Sequence, residues 1–459
     1  MHRLYLTHAF LFVFIAFLSN STIAQEKCVE CKPRCLCKKM IADKYPKKIR
    51  KLVKANWSDF EGQELETALP PTGITNVLSI KFDGFGCVYP DFIDDNLIKR
   101  EFKKDKAKKT YFQALTFFSL LREHPTALKR YSEYTQHQNF LDSITAIARA
   151  ATKDTVAMDL FRFREKWNAH FLPLVLKKIQ DKIESAKIEK LLFFIPGYNV
   201  PYSLAHLQGN AIFENYKEVL AVKASEQNIL FVRVFWPSNS KKFAMFGKMF
   251  CSMSNKMNIN SARLYNYVTN RAYIATLTMR TLINNLNTVP QTEIISHSFG
   301  AVVSTGVVLQ PFEKMKDTTS TFNTKLIEQF RATQIPVHNI KLYLNAAGIP
   351  GESTFRPLDS NTNRYHQFYI SYNDIDKILN KRVLPFAKYF TSANHGNKTT
   401  LGCNWTGEVS RVDTIFASKG LSKNVSSQRT SFRGNHDIFC YLAQSEFQDY
   451  FGKFVRERK

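Results

Sequence analysis

Thr292-Glu-Ile-Ile-Ser-His-Ser-Phe-Gly-Ala301 is the stretch on which the fold turns. Ile294-Ile295 reads as a buried strand, and Ala301-Val302-Val303 reads as the start of a helix. Between them stand Ser296, His297, Ser298, Phe299 and Gly300. A strand that turns sharply into a helix around a central serine is the setting of a nucleophile elbow. The turn is tight, so the positions two before and two after the nucleophile must be small. Here they are Ser296 and Gly300. Ser298 Oγ would stand at the tip of the turn. The backbone N–H of Phe299, where the helix begins, would face a developing oxyanion. The alternative is an ordinary strand–helix turn that buries a serine.

Two upstream segments extend the reading. Leu191-Leu-Phe-Phe-Ile-Pro-Gly-Tyr-Asn-Val200 is an apolar strand that ends in a sharp turn at Pro196-Gly197. Such a loop supplies the second oxyanion N–H in α/β hydrolases, here from Gly197 or Tyr198. Asn228-Ile-Leu-Phe-Val-Arg-Val-Phe-Trp-Pro-Ser238 is a second buried strand, stopped by proline. The order strand, Pro-Gly-Tyr-Asn loop, strand, Trp-Pro-Ser, strand, elbow resembles a family of largely uncharacterised bacterial α/β hydrolases. That family carries His-Gly-Tyr-Asn, then Phe-x-Trp-Pro-Ser, then Ala-His-Ser-Met-Gly. Gly197-Tyr198-Asn199, Trp236-Pro237-Ser238 and His297-Ser298-x-Gly300 match it. Pro196, Val234 and Phe299 stand where the family has His, Phe and Met. The resemblance runs from Lys190 to the C-terminus. It implies an α/β hydrolase fold, a doubly wound and mostly parallel sheet, and a serine hydrolase of the esterase or lipase kind.

The order of a triad on this fold is Ser, then acid, then His. The acid is expected just after a strand. Gln367-Phe-Tyr-Ile-Ser-Tyr-Asn-Asp374 alternates, is aromatic, and ends in a turn pair. The family's Tyr-x-Ser-x-x-Asp matches Tyr369, Ser371 and Asp374, so Asp374 is the expected acid, with Asp376 its nearest rival and Asp359 a more distant one. The base is expected before the last helix. Gly434-Asn-His-Asp437 precedes Ile438-Phe439 and resembles the family's Gly-His-Ser/Asp pattern, so His436 is preferred to His395. His297 is expected to point to the other side of the turn. His436 would take the proton of Ser298, and Asp374 would hold its tautomer. No metal or cofactor is required by this chemistry.

The chain has 459 residues, 44% of them hydrophobic, enough for a sizeable core. Residues 1–24 read as a signal peptide: Arg3, an apolar run Ala9 to Leu18 too short to span a bilayer, and Thr22-Ile23-Ala24 as the cleavage triplet. The product is then exported, to the periplasm or outside. Lys and Arg total 64 against 39 acids, a formal charge of +25. Much of the excess lies between Gln25 and Phe60 and between Ile98 and Lys109. Such charge attracts anionic membrane or envelope surfaces, although a solvated lysine-rich face carries it equally. No nucleic-acid module accompanies it, so no specific nucleic acid is expected. Eight cysteines include the cluster Cys28, Cys31, Cys35 and Cys37. Behind a signal peptide these are expected as disulfides rather than zinc ligands.

Four stretches follow: the signal peptide 1–24, a Cys/Lys-rich leader 25–71, a mainly helical N-terminal region 72–189, and the hydrolase domain 190–459. Within the second last, Thr75 to Phe82 reads as a strand; Leu172, Val175, Leu176, Ile179 and Ile183 share one helix face. Asn339 to Ala347 reads as a further strand and Asp437 to Val455 as a single closing helix. Met245, Met249, Met253 and Met257 recur every four residues. On a helix they form one soft face: either an acyl-contacting lid, in which Met245, Met249 and Met253 bind substrate, or core. The expectation is an exported serine hydrolase acting on a carboxyl ester, small or lipid, through Ser298, His436 and Asp374. Thioesters, amides and peptides are open to the same fold. The rival is a non-catalytic, cationic envelope- or polyanion-binding protein on a hydrolase scaffold.

Overall fold

A computed structural model describes residues 76–93, 97, 101, 116–152, 154–197, 200, 202–220, 228–236, 257–287, 290–310, 321–376, 379, 400–404, 407–430, 436, 438–442 and 444–457. Seven parallel strands form one sheet in the order β1-β3-β2-β4-β5-β6-β7. They are β1 Val77–Lys81, β2 Lys190–Ile195, β3 Ile229–Phe235, β4 Gln291–His297, β5 Ile340–Asn345, β6 His366–Tyr372 and β7 Val425–Arg429. β2, β3 and β5 are almost continuously buried. A parallel sheet covered on both faces demands such unbroken apolar runs. This is the architecture of an α/β hydrolase.

Side chains alternate between two cores. Leu191, Phe193, Ile195, Val232, Ile294 and Leu344 enter the larger one. Helices α1 Phe117–Glu123, α2 Gln138–Ala150, α3 Val156–Ser185, α5 Met257–Asn284, α6 Gly300–Val308, α7 Thr321–Ala332, α8 Gly351–Phe355 and α9 Glu408–Ser418 cover or extend that face. Leu192, Phe194, Phe231, Ile295 and Tyr343 enter the other core, under α4 Tyr202–Leu220, α10 Ile438–Leu442 and α11 Ser445–Arg456. No helix among the described residues is long and apolar enough to cross a membrane.

The sheet draws its first strand from the N-terminal region. β1 pairs with β3 along its whole length, from Val77 opposite Phe231 to Lys81 opposite Phe235. The loop after β1 is held by α3: Trp167 Nε1 donates to Val88 O at 2.8 Å, and Asn168 bonds both Val88 N and Gly86 O at 3.0 Å. The expected face of α3 is present, with Leu172, Ile179 and Ile183 buried. The helical region thus shares the sheet's larger core.

Two features differ from expectation. β7, Val-Ser-Ser-Gln-Arg, has no apolar pattern because it is a half-exposed edge strand. The closing helix is two helices. Gln444, with extended backbone angles, separates α10 from α11. The break lets Tyr441 reach the end of β6 while Phe447, Phe451 and Phe454 lie on the sheet.

Topology fixes where chemistry can occur. From β2 the chain steps out to β3, returns across β2 to β4, and then runs the other way. The strand order therefore reverses at the β2–β4 pair. A crevice opens there, at the carboxyl ends of the strands. The Pro196-Gly197 loop and the Ser298 turn both leave the sheet at this point, with Ile195 paired to Ser296.

Candidate active site

Ser298 follows β4 directly and has φ +54°, a left-handed conformation that side chains other than glycine's seldom adopt. Strain of this kind is tolerated where the surrounding structure holds it. Ser298 N–H donates to Asn345 O at 2.9 Å, and Ser298 O accepts from Gly348 N–H at 2.9 Å. Asn345 is itself held by Ser371 Oγ, which donates to its Oδ1 at 2.6 Å. Gly300 admits no side chain: a Cβ there would stand 2.5 Å from Ile195 O and 2.6 Å from Pro196 O. Ser296, where a smaller residue is usual, fits because its hydroxyl meets Ser304 Oγ at 2.8 Å.

The loop after β2 lies against the turn. A Cβ on Gly197 would come within 2.9 Å of Ser298 Cβ. Trp236, at the end of β3, donates its Nε1–H to Pro196 O at 2.8 Å, and its ring stacks on Phe299 at 6.3 Å. The tryptophan of the Trp-Pro-Ser motif thus ties the oxyanion loop to the residue after the nucleophile. Phe299 leads into α6, and its amide is at that helix's N-terminal end. Tyr198 lies outside the described residues.

His436 bridges Ser298 and a carboxylate. Its Nε2 is 2.6 Å from Ser298 Oγ, and its Nδ1 is 2.6 Å from Asp376 Oδ2. The acid on His436 is therefore Asp376 and not Asp374. A turn after β6 explains the shift. Asn373 N–H is held by Gly402 O at 2.8 Å, and Asp376 N–H returns to Asn373 O at 2.9 Å. That turn aims Asp374 outward, where its Oδ2 pairs with the Arg429 guanidinium at 2.8 Å. Asp359 caps a surface turn through Asn361, Thr362 and its own hydroxyl partner. His395 lies outside the described residues.

Water has little access. Ser298 is 8% exposed and the His436 side chain 12%. Burial pushes the Asp376 carboxyl up, but His436, the Leu379 N–H and the Tyr441 hydroxyl outweigh it and hold the group below the usual range. Leu379 N donates to Oδ1 at 3.1 Å and Tyr441 O–H to Oδ2 at 2.8 Å. His297 does not turn away from the site. Its ring lies 4.9 Å from that of His436. Burial first, and then His436, push its proton affinity well below the usual histidine range, so it stays neutral.

Met245, Met249 and Met253 lie outside the described residues, as do Met257's side chain, residues 1–75 and Cys28 to Cys37. Cys87 and Cys403 are buried, and the Cys403 thiol meets Asp374 O at 3.5 Å. Among the described residues no three His, Cys, Asp or Glu side chains form a metal-binding group.

The fold is that of an α/β hydrolase. Residues 175–342 match a family model described as "Alpha/beta hydrolase of unknown function (DUF900)", the α/β hydrolase family of largely unknown function that the motifs resemble. The matched stretch contains Gly197, Trp236 and Ser298 and stops short of Asp376 and His436. No curated protein and no solved structure matches the chain.

Proposed function

We propose that this protein is an exported serine hydrolase that cleaves a carboxyl ester through an acyl-enzyme. The observation that carries this reading is His436, within 2.6 Å of both Ser298 Oγ and Asp376 Oδ2, beside a serine at positive φ. His436 Nε2 takes the hydroxyl proton as Oγ attacks the carbonyl carbon. The N–H groups of Phe299 and Gly197 receive the oxyanion. The tetrahedral intermediate collapses, and the leaving alkoxide takes the proton from Nε2. Water then repeats the sequence against the acyl-serine. Asp376 keeps the imidazole oriented and stabilises the imidazolium. If Met245, Met249 and Met253 contact the acyl group, as one of the two readings of their spacing has it, they favour an apolar, lipid-like acyl chain. Residues 1–24 direct export, the Cys28–Cys37 cluster is oxidised, and the basic leader draws the enzyme to an anionic membrane or envelope surface.

The test is labelling by a fluorophosphonate, with the modified residue found by mass spectrometry, followed by kcat/KM on p-nitrophenyl esters from acetate to decanoate. Modification of Ser298, lost in Ser298→Ala, with turnover rising with chain length, is expected. Each buried CH₂ is worth about 0.8 kcal/mol. A folded protein that neither labels nor turns over any ester would instead be the cationic binding protein.

A further inference from the structure

Tyr441 is not part of any motif in this chain, yet it reaches the acid. It sits on α10, five residues after His436, and its ring is completely buried. Its hydroxyl donates to Asp376 Oδ2 at 2.8 Å. The same oxygen receives His436 Nδ1 at 2.6 Å. The other oxygen, Oδ1, receives Leu379 N–H at 3.1 Å. The Tyr441 ring also stands edge-on to His297, at 6.2 Å, and His297 walls the His436 imidazole. One side chain therefore touches both the acid and the packing of the base.

We infer that Tyr441 is a positioning residue of the reaction, which acts through Asp376 by sharing Oδ2 with His436. This rests on the Ser298–His436–Asp376 reading above. A carboxylate oxygen can accept two donors, and two hold its direction more firmly than one. Without Tyr441, Oδ2 would keep His436 and Oδ1 would keep the Leu379 N–H, a looser hold on the carboxylate than all of them together. With Tyr441 and Leu379 fixed, Oδ2 stays in line with Nδ1 as the imidazole becomes charged. The phenol also withdraws part of the negative charge from Oδ2. That weakens the carboxylate's hold on the imidazolium, so the proton is released more readily to the leaving group. Burial and the neighbouring Asp376 push the ionisation of Tyr441 well above its usual range, so it remains a donor wherever the enzyme works. The bland alternative is a core tyrosine whose hydroxyl happens to be satisfied by the nearest acceptor.

The experiment measures the rate of Ser298 modification by a fluorophosphonate between pH 5 and 9 on the full chain. The variants are Tyr441→Phe, Asp376→Asn and the two combined, each with a thermal melt. For Tyr441→Phe the plateau rate is expected to fall about tenfold. The pH of half-maximal rate is expected to rise by about half a unit or more, because the uncovered carboxylate binds the imidazolium more tightly. In Asp376→Asn the second substitution should change nothing further. A Tyr441→Phe protein with the wild-type pH profile and a rate within about twofold overturns the inference. So does an equal loss in both backgrounds, which would mark a packing effect. If Tyr441→Phe does not fold, 3-fluorotyrosine incorporated at position 441 keeps the shape and strengthens the donor. The half-maximal pH should then move down, and no movement overturns the proposal. Failure of the wild-type protein to label at Ser298 is a different result, and it removes the triad reading and this inference together.

Discussion

Replacing Asp376 by Asn should be far more damaging than replacing Asp374, although the two carboxylates are neighbours in sequence. Groups that point at Asp376 among the described residues include His436 Nδ1 and Tyr441 Oη at Oδ2, and Leu379 N at Oδ1. All three are donors when Nδ1 carries its proton. An asparagine offers one oxygen and one NH₂. If the oxygen faces His436 and Tyr441, the NH₂ meets Leu379 N–H. If it faces Leu379, the NH₂ meets His436 and forces the tautomer in which Nε2 is protonated. That tautomer cannot take the Ser298 proton. The comparable change in a Ser-His-Asp triad lowers kcat about 10⁴-fold, or about 5 kcal/mol of barrier at 1.36 kcal/mol per tenfold. A mismatched buried donor should also cost stability, about 1–3 kcal/mol. Asp374 is only partly buried, its side chain 27% exposed. Its pair with Arg429, whose side chain is 56% exposed, is worth at most about 1 kcal/mol. The assay is kcat/KM on the best ester, together with melting temperature, for wild type, Asp374→Asn and Asp376→Asn. Asp374→Asn should stay within about twofold of wild type. The reasoning fails if Asp374→Asn loses activity to the same extent as Asp376→Asn, or if Asp376→Asn keeps a tenth of the wild-type rate.

Other outcomes follow from the same geometry. Gly300→Ala should destabilise the protein by more than the about 1–3 kcal/mol usual for overpacking, because its Cβ meets backbone carbonyls and not movable side chains; an unchanged melting temperature would refute this. His366 is fully buried, and burial first, then His338, lower its pKa from 6.5 to about 3. The folded state refuses a proton that the unfolded chain accepts, so this stability is complete above about pH 6.5 and is lost progressively down to about pH 3. By pH 5 the loss amounts to about 2 kcal/mol, and urea midpoints of His366→Leu against wild type should show a flatter decline between pH 7 and 5. The comparison of variants removes the contribution of Asp83, whose buried carboxyl, raised to about 6, acts in the opposite direction.

How much of this was legible in the sequence depends on what constrains each part. The elbow was legible because its constraint is steric. Gly300 presses on the backbone of Ile195 and Pro196, and no other residue fits that gap. The strands were legible because a sheet covered on both faces needs unbroken apolar runs. β7 was not, since Ser426, Ser427 and Gln428 lie at a half-exposed edge and carry no pattern. The acid was missed by two residues for another reason. A side-chain carboxylate needs only to arrive at His436, and either residue of Asp374-Ile375-Asp376 can be presented by some turn. The turn is set by Gly402 O, which holds Asn373 N–H from a segment distant in sequence. Trp236 was visible as part of a motif, but its bond to Pro196 O, across two strands, was not.

The segment that carries His436 continues into a helix anchored under the sheet, away from the crevice. His436 and Tyr441 lie on the segment that leads into α11, and α11 ends under β4 and β5. There Lys341 Nζ donates to Phe454 O at 2.5 Å and to Glu457 O at 2.9 Å. A cation on the last carbonyls of a helix is favoured by both hydrogen bonding and the helix dipole. Lys341 is buried, and burial lowers its proton affinity, so the charge needs a partner. Glu293 on β4 supplies it at 3.3 Å, and is itself held by Lys190 at 3.2 Å and by the Tyr216 hydroxyl at 2.7 Å. Removing one member of such a cluster would strand the others, at about 3–5 kcal/mol. Glu293 is on the strand that ends one residue before Ser298, and Lys341 is on the strand whose Asn345 holds the Ser298 amide. The same two strands thus lead to the Ser298 turn at one end and hold the last turn of α11 towards the other. Their parallel pairing, Glu293 to Lys341 through His297 to Asn345, is the ruler that sets one against the other.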